Sequence, residues 1–183
     1  MNWFLKDEHQ AHLVNYADDL VILSRGKAEA ARQWTQAVIT RLGLTLNEQK
    51  TCIRNAKQES FDFLGYTFGP RYWWKTGKPY LAASPSKKAI QRLKEGVYEM
   101  LRPCENERWE EVRDHLNAKL RGWQKYFRYG SLNKAYRIVD QYVYQCVRHF
   151  LRRRHQATNS RGTRQFSATV VYGERGVHRL QRA

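Results

Sequence analysis

The chain has 183 residues, with 33 Lys+Arg against 17 Asp+Glu and a formal net charge of +16. Its length suits one domain or two small ones with a real core, and 42% apolar and 13% aromatic residues argue against disorder. No run approaches the roughly 18 apolar residues of a membrane span, and residues 1–10 lack the basic and apolar stretches of a secretory signal, so a polyanionic partner is the leading expectation and a membrane is not.

Residues 11–16 and 20–24 read as two short strands flanking Ala17-Asp18-Asp19. A helix follows over 27–42, with Ala31, Trp34, Val38 and Leu42 on one face and Gly43 just past its end. Short strands are expected at 44–46 and 51–54, around Asn47-Glu48-Gln49. Residues 61–68 alternate aromatic with small or polar side chains, a strand that should stop at Gly69-Pro70. Beyond residue 80 the period becomes 3.6. Ser84-Pro85 reads as the N-cap and first position of a helix carrying Ile90, Leu93, Val97 and Leu101, stopped by Pro103. A second helix carries Trp109, Val112, Leu116, Leu120, Trp123 and Phe127 up to Gly130. A third carries Tyr136, Val139, Val143, Cys146 and Phe150 and runs into Arg152-Arg153-Arg154-His155. The remainder, 156–183, is polar and Arg-rich with a short strand at 168–172, and its Arg161–Arg182 portion reads as a disordered arm that orders on binding. The expected class is α+β: a small β-α-β-β part over 1–80, an all-helical bundle over 81–155 and a basic tail over 156–183.

The charge follows the same division. Residues 1–60 carry 8 basic and 7 acidic side chains, whereas residues 61–183 carry 25 and 10. The last 36 residues hold nine arginines and a single acid, Glu174. Two parts so different in charge have different jobs. The three cysteines, Cys52, Cys104 and Cys146, are odd in number and form no C-x-x-C pair, which suits a reducing compartment without disulfides. His9 and His12 have helical spacing, but no Cys or second His pair follows at a zinc-ligand distance.

Chemistry is announced at one place, Val14-Asn15-Tyr16-Ala17-Asp18-Asp19-Leu20-Val21-Ile22, where two adjacent carboxylates interrupt an apolar stretch at a tight hairpin. A bare Asp-Asp pair is ordinary turn chemistry. Held rigidly on buried strands, the same pair supplies the hard oxygen ligands that Mg²⁺ prefers, and two such ions clamp the attacking and leaving oxygens in nucleotidyl transfer.

Tyr-Ala-Asp-Asp between two hydrophobic strands resembles the catalytic hairpin of reverse transcriptases. Leu44-x-Leu46-Asn47-x-x-Lys50-Thr51 resembles the segment that follows this hairpin in group II intron enzymes, and Phe63-Leu64-Gly65-Tyr66 resembles their primer-grip hairpin. Leu120-Arg121-Gly122-Trp123-x-x-Tyr126-Phe127 is similar to the signature of the maturase domain, domain X. The four motifs occur in the family's order and span nearly the whole chain.

The resemblance implies a partial palm, a thumb and domain X: the C-terminal portion of a group II intron reverse transcriptase/maturase, an intracellular protein of bacterial type in the cytoplasm. It implies that Asp18 and Asp19 are metal ligands or shape the site around them, with Mg²⁺ bound only if the complete polymerase site is assembled. Lys50 lies near the incoming triphosphate or is a plain surface lysine. Phe63, Leu64, Gly65 and Tyr66 position a primer end, or in the case of Phe63 and Leu64 simply fill a strand core. Trp123, Tyr126 and Phe127 read mainly as core, with base stacking as the alternative. Lys119, Arg121, Lys125, Arg128, Arg148, Arg152, Arg153 and Arg154 are the candidate RNA-binding cations. The family's first catalytic aspartate and its fingers have no counterpart in the 15 residues before Tyr16, and no Cys/His-rich endonuclease segment follows domain X. The expected role is therefore binding structured intron RNA to assist splicing, with a remnant of the polymerase site that is inactive in this chain alone. The alternatives are one half of a split RNA-directed DNA polymerase, completed by a separate chain and acting on a DNA target or primer, and a non-functional truncated remnant.

Overall fold

A computed structural model describes residues 11–102, 107–155 and 165–181. The chain divides into two compact units, one formed by residues 1–64 with 69–81, the other by 65–68 with 82–183.

Among the described residues the first unit opens with β1 (Ala11–Tyr16) and β2 (Asp19–Ser24), an antiparallel pair in unbroken register from Ala11↔Ser24 to Tyr16↔Asp19. Helix α1 (Ala28–Arg41) packs on β2. Ala31 and Thr35 are its buried residues, while Leu42, expected on the inner face, is exposed at the C-cap. The helix stops for a clear reason. Gly43 takes φ +71°, its N–H reaches the Thr40 carbonyl at 3.0 Å and the Leu44 N–H reaches Ile39 at 3.1 Å, a Schellman closure.

The strands expected at 44–46 and 51–54 do not form. Asn47 organises the segment instead. Its carbonyl accepts from the N–H groups of Lys50 and Thr51 and from the Thr51 hydroxyl, and its side chain accepts again from Lys50 N–H. An Asn that satisfies the backbone locally removes the incentive to pair as a strand.

The single strand expected over 61–68 is two strands of a hairpin, β3 (Phe61–Phe63) and β4 (Tyr66–Tyr72), and β5 (Pro79–Pro85), absent from the sequence reading, completes a sheet in the order β3-β4-β5. The turn residues Leu64 (φ +48°) and Gly65 (φ +77°) are both left-handed, the pattern of a two-residue hairpin turn. Gly69-Pro70 does not end β4. β3 is only three residues long, so Pro70 lies past the stretch that pairs with it.

Pro85 likewise ends β5 rather than starting a helix, and the N-cap is Ser86, whose Oγ accepts from Ala89 N–H at 3.1 Å. Three long helices follow in the second unit: α2 (Lys87–Leu101), α3 (Trp109–Tyr126) and α4 (Asn133–Arg154). Their expected inner faces meet. Leu93, Val97 and Leu101 of α2, Val112, Leu116 and Leu120 of α3, and Val139, Val143 and Phe150 of α4 are fully buried in one core. Pro103 lies outside the described residues.

The expectation of a loose, strand-bearing arm fails where the chain is described. Residues 170–174 form a π-helical turn, and Phe166, Val171, Val177 and Leu180 are buried in the same core as the helices. The remaining residues of that tail, 156–164 and 182–183, lie outside the described residues. Among the described residues no helix is long and apolar enough to cross a membrane.

Candidate functional site

The hairpin carboxylates are presented by geometry. Because Tyr16 pairs with Asp19, the turn consists of Ala17 and Asp18 alone, with Ala17 held at φ +49°. That left-handed position is uncommon for a residue with a Cβ and costs about 1 kcal/mol, which the paired strands on either side impose. Asp18 and Asp19 are thereby fixed at the tip, and both are exposed. Among the described residues no three His, Cys, Asp or Glu side chains converge as a metal site. Two hard carboxylate donors suit part of a divalent-cation site, and they do not by themselves enclose an ion. Lys50 is exposed on the Asn47 turn, its backbone fixed and its ammonium at the surface.

The primer-grip segment divides between the units. Phe63 and Leu64 belong to the first, where Phe63 is half-buried in β3, and Gly65 and Tyr66 belong to the second. There Gly65 and Tyr66 meet the end of α3. The Tyr66 hydroxyl donates to the Tyr126 carbonyl at 2.9 Å, the Tyr66 ring lies 4.9 Å from that of Phe127, and a Cβ on Gly65 would stand 3.2 Å from the Phe127 ring. Burial pushes the Tyr66 phenol above its ordinary range. Two motifs that are 60 residues apart in the chain thus form one packed cluster.

Within the domain X signature the aromatics separate. Phe127 is buried, Trp123 is half-buried with its ring 4.7 Å from Phe127, and Tyr136 closes the group by donating to the Phe127 carbonyl at 2.7 Å. Tyr126 is 56% exposed and so is not core. The cations of α3, Lys119, Arg121 and Lys125, are exposed, as is Arg128 just beyond the helix. Lys119 lies across Gly96 of α2, whose missing side chain leaves room for it. Arg121 and Lys125, four residues apart, share a helix face. On α4, Arg148 and Arg152 are half-buried, with the Arg148 guanidinium 5.9 Å from the centre of the Tyr144 ring. Arg153 donates to the Leu101 carbonyl at 3.4 Å and Arg154 to that of Glu107. The arginine run therefore also ties α4 to the end of α2 and to the start of the next segment.

Sequence reasoning missed the clamp that holds residues 175–181. Asn117 donates to the Gly176 carbonyl and accepts from His178 N–H, Gln124 donates to the Leu180 carbonyl and meets His178 Nε2 at 2.9 Å, and Asp140 accepts from Leu180 and Gln181 N–H at 2.9 and 3.0 Å. Burial raises the Asp140 carboxyl above its ordinary value against these hydrogen bonds, and burial with the nearby Arg121 lowers His178. A signal existed: Asn117 and Asp140 sit directly beside apolar-stripe positions, and a buried polar side chain requires a partner.

Two family models match the chain. Residues 1–68 match the reverse transcriptase (RNA-dependent DNA polymerase) model, and residues 90–166 match the group II intron, maturase-specific domain. No curated protein matches it. The Asp-Asp hairpin falls inside the first match and the helical core with its signature inside the second, in the order the motifs imply. The chain belongs to the group II intron reverse transcriptase/maturase family.

Proposed function

We propose that the helical unit grips folded intron RNA by its phosphates, with Lys119, Arg121, Lys125 and Arg128 as the principal contacts and Arg148, Arg152, Arg153 and Arg154 extending the field along α4. The exposure of the α3 cations is the observation that supports this most directly. They stand on a helix whose inner stripe, from Trp109 to Leu120, is buried, so the charges ride on a rigid support. RNA held this way favours its splicing-competent fold by mass action, by as much as the protein binds that fold more tightly than its alternatives.

A second reading concerns the hairpin, and the exposure of both carboxylates at its tip favours it. Completed by the rest of a palm, Asp18 and Asp19 would hold Mg²⁺, which supplies charge neutralisation on the attacking and leaving oxygens. Lys50 would offset triphosphate charge, and Phe63, Leu64, Gly65 and Tyr66 would position a primer end. A separate chain carrying the fingers, and a DNA primer or target, are the partners this reading requires.

Binding of the full chain to a folded group II intron RNA across a salt series tests the first reading. The expected log–log slope is about −3 or steeper, as for four or more phosphate contacts, and Arg121→Ala/Lys125→Ala should reduce it by about 2 units while weakening all structured RNAs alike. A slope near zero would remove the electrostatic basis of the proposal.

A further inference from the structure

The outer part of the β4–β5 hairpin, residues 69–81, lies in the first unit and carries the tip Tyr72-Trp73-Trp74-Lys75-Thr76-Gly77-Lys78. Its backbone is closed by Trp73 N–H donating to the Lys78 carbonyl at 2.9 Å and Gly77 N–H donating to the Trp73 carbonyl at 2.7 Å, with Gly77 left-handed at φ +65°. Trp73 packs its ring 4.8 Å from that of Tyr80, tilted by 32°, and remains 56% exposed. Trp74 is 86% exposed, with the Lys75 ammonium 5.1 Å from its ring centre. A ring so exposed contributes almost nothing to the core, and an indole is costly to leave in water. Its use must lie with something that comes to the tip.

The surrounding charge identifies that partner. Between Asp62 and Glu95 the sequence contains no acid, and the hairpin itself carries Arg71, Lys75 and Lys78. Among the described residues none of these three is in an ion pair. Lysines are depleted from the centres of protein interfaces, whereas cations interleaved with flat aromatic rings are how proteins hold unpaired nucleotides, one set for phosphates and one for base faces.

We propose that the β4–β5 hairpin tip is a stacking platform for an unpaired stretch of RNA, with Trp74 stacking on a base, Trp73 braced by Tyr80 behind it, and Arg71, Lys75 and Lys78 on the flanking phosphates. This rests on the reading that the chain binds intron RNA, and it assigns single-stranded segments of that RNA to a place outside the helical unit.

The test uses the full chain and two labelled probes, an oligouridine of about 12 nucleotides and an RNA duplex of matching length. Trp74→Ala should weaken oligouridine binding about 5- to 100-fold, Trp74→Phe should restore most of it, and duplex affinity and melting temperature should stay unchanged. Lys75→Ala/Lys78→Ala should lower the single-strand salt slope by about 1.4. Equal oligouridine affinity in Trp74→Ala and the unsubstituted chain, with duplex binding intact, would defeat the platform and leave the helical RNA contacts standing. A reversible dimer that Trp74→Ala dissolves, without change in RNA affinity, would show instead that the tip joins two copies of the chain. Failure of the unsubstituted chain to bind any RNA would overturn the RNA reading and the platform together.

Discussion

Gly130 and Gly122 stand eight residues apart around the end of α3 and do opposite jobs. Gly130 is held at φ +89°, and a Cβ there would collide with the Ala83 carbonyl, which also accepts the Ser131 N–H at 2.7 Å. Gly130→Ala should therefore destabilise the chain by more than about 2 kcal/mol, combining the left-handed penalty with the collision, as read from the urea midpoint. Gly122, inside the domain X signature, has no atom within 4 Å of a built Cβ and sits exposed within the helix. Gly122→Ala should stabilise by about 0.5–1 kcal/mol. If the signature glycine exists for close approach of RNA, the same variant should bind intron RNA more weakly despite its higher stability. Such opposite movement of two readouts separates a contact role from a folding role. His178 offers a third test at this scale. Its pKa lies below the ordinary 6.5 because burial and Arg121 disfavour the imidazolium. A lowered folded-state value means the unfolded chain binds the proton first, so this contribution is fully present above about pH 6.5 and is lost as pH falls through the folded value. His178→Gln should flatten the fall in urea midpoint between about pH 6.5 and pH 5 relative to the unsubstituted chain.

Among the elements, residues 165–181 changed most between sequence and structure. Their net basic character and broken periodicity read as an arm, yet four apolar side chains from this stretch fill the core, and Asn117, Gln124 and Asp140 pair its backbone. Asp140→Ala would leave the Leu180 and Gln181 N–H groups without their acceptor, a loss on the order of 3 kcal/mol. Hydrogen exchange at Leu180 and Gln181 should accelerate before that of the α3 and α4 core; uniform acceleration would mean the segment is no separable clamp. The helices, by contrast, were legible to within about three residues at each end. Leu93, Val97 and Leu101, or Val139, Val143 and Phe150, repeat at helical spacing regardless of what they touch. Short strands were not legible, because their residues carry too little pattern and depend on a partner. β5 and the division of 61–72 into two strands show this, as does the Asn47 segment, where a local hydrogen-bonding residue displaced strands that propensity favoured.

At the scale of the whole molecule, charge and chemistry reside in different places. The near-neutral first 60 residues carry the carboxylate hairpin, and most of the excess charge follows them. Incubated alone with template, primer, nucleotides and Mg²⁺, the chain is expected to give no primer extension, since the family resemblance calls for a third carboxylate beside the two that its hairpin presents. Incorporation that disappears in Asp18→Asn would reverse that expectation and place a working site in this chain. The motifs that carry the family were readable because each is a short run whose residues act through their own neighbours. Tyr-Ala-Asp-Asp needs only a hairpin, and Leu-Arg-Gly-Trp only a helix. What they touch could not be read. That Gly65 and Tyr66 pack on Tyr126 and Phe127, and that Trp74 stands exposed among cations, depends on contacts over long separations, and such contacts are not encoded by local periodicity.

The sequence by itself determined the α+β class, the three amphipathic helices, the tight carboxylate turn and the excess of positive charge, which follow from composition and from patterns shorter than one element, and it pointed to the family through the resemblance of its four motifs. Only the tertiary structure decided that the C-terminal segment is core, which arginines also serve as ties, and which aromatics are buried or presented. Those outcomes turn on whether a polar or apolar group finds a partner far along the chain, and a buried group without one costs too much to persist.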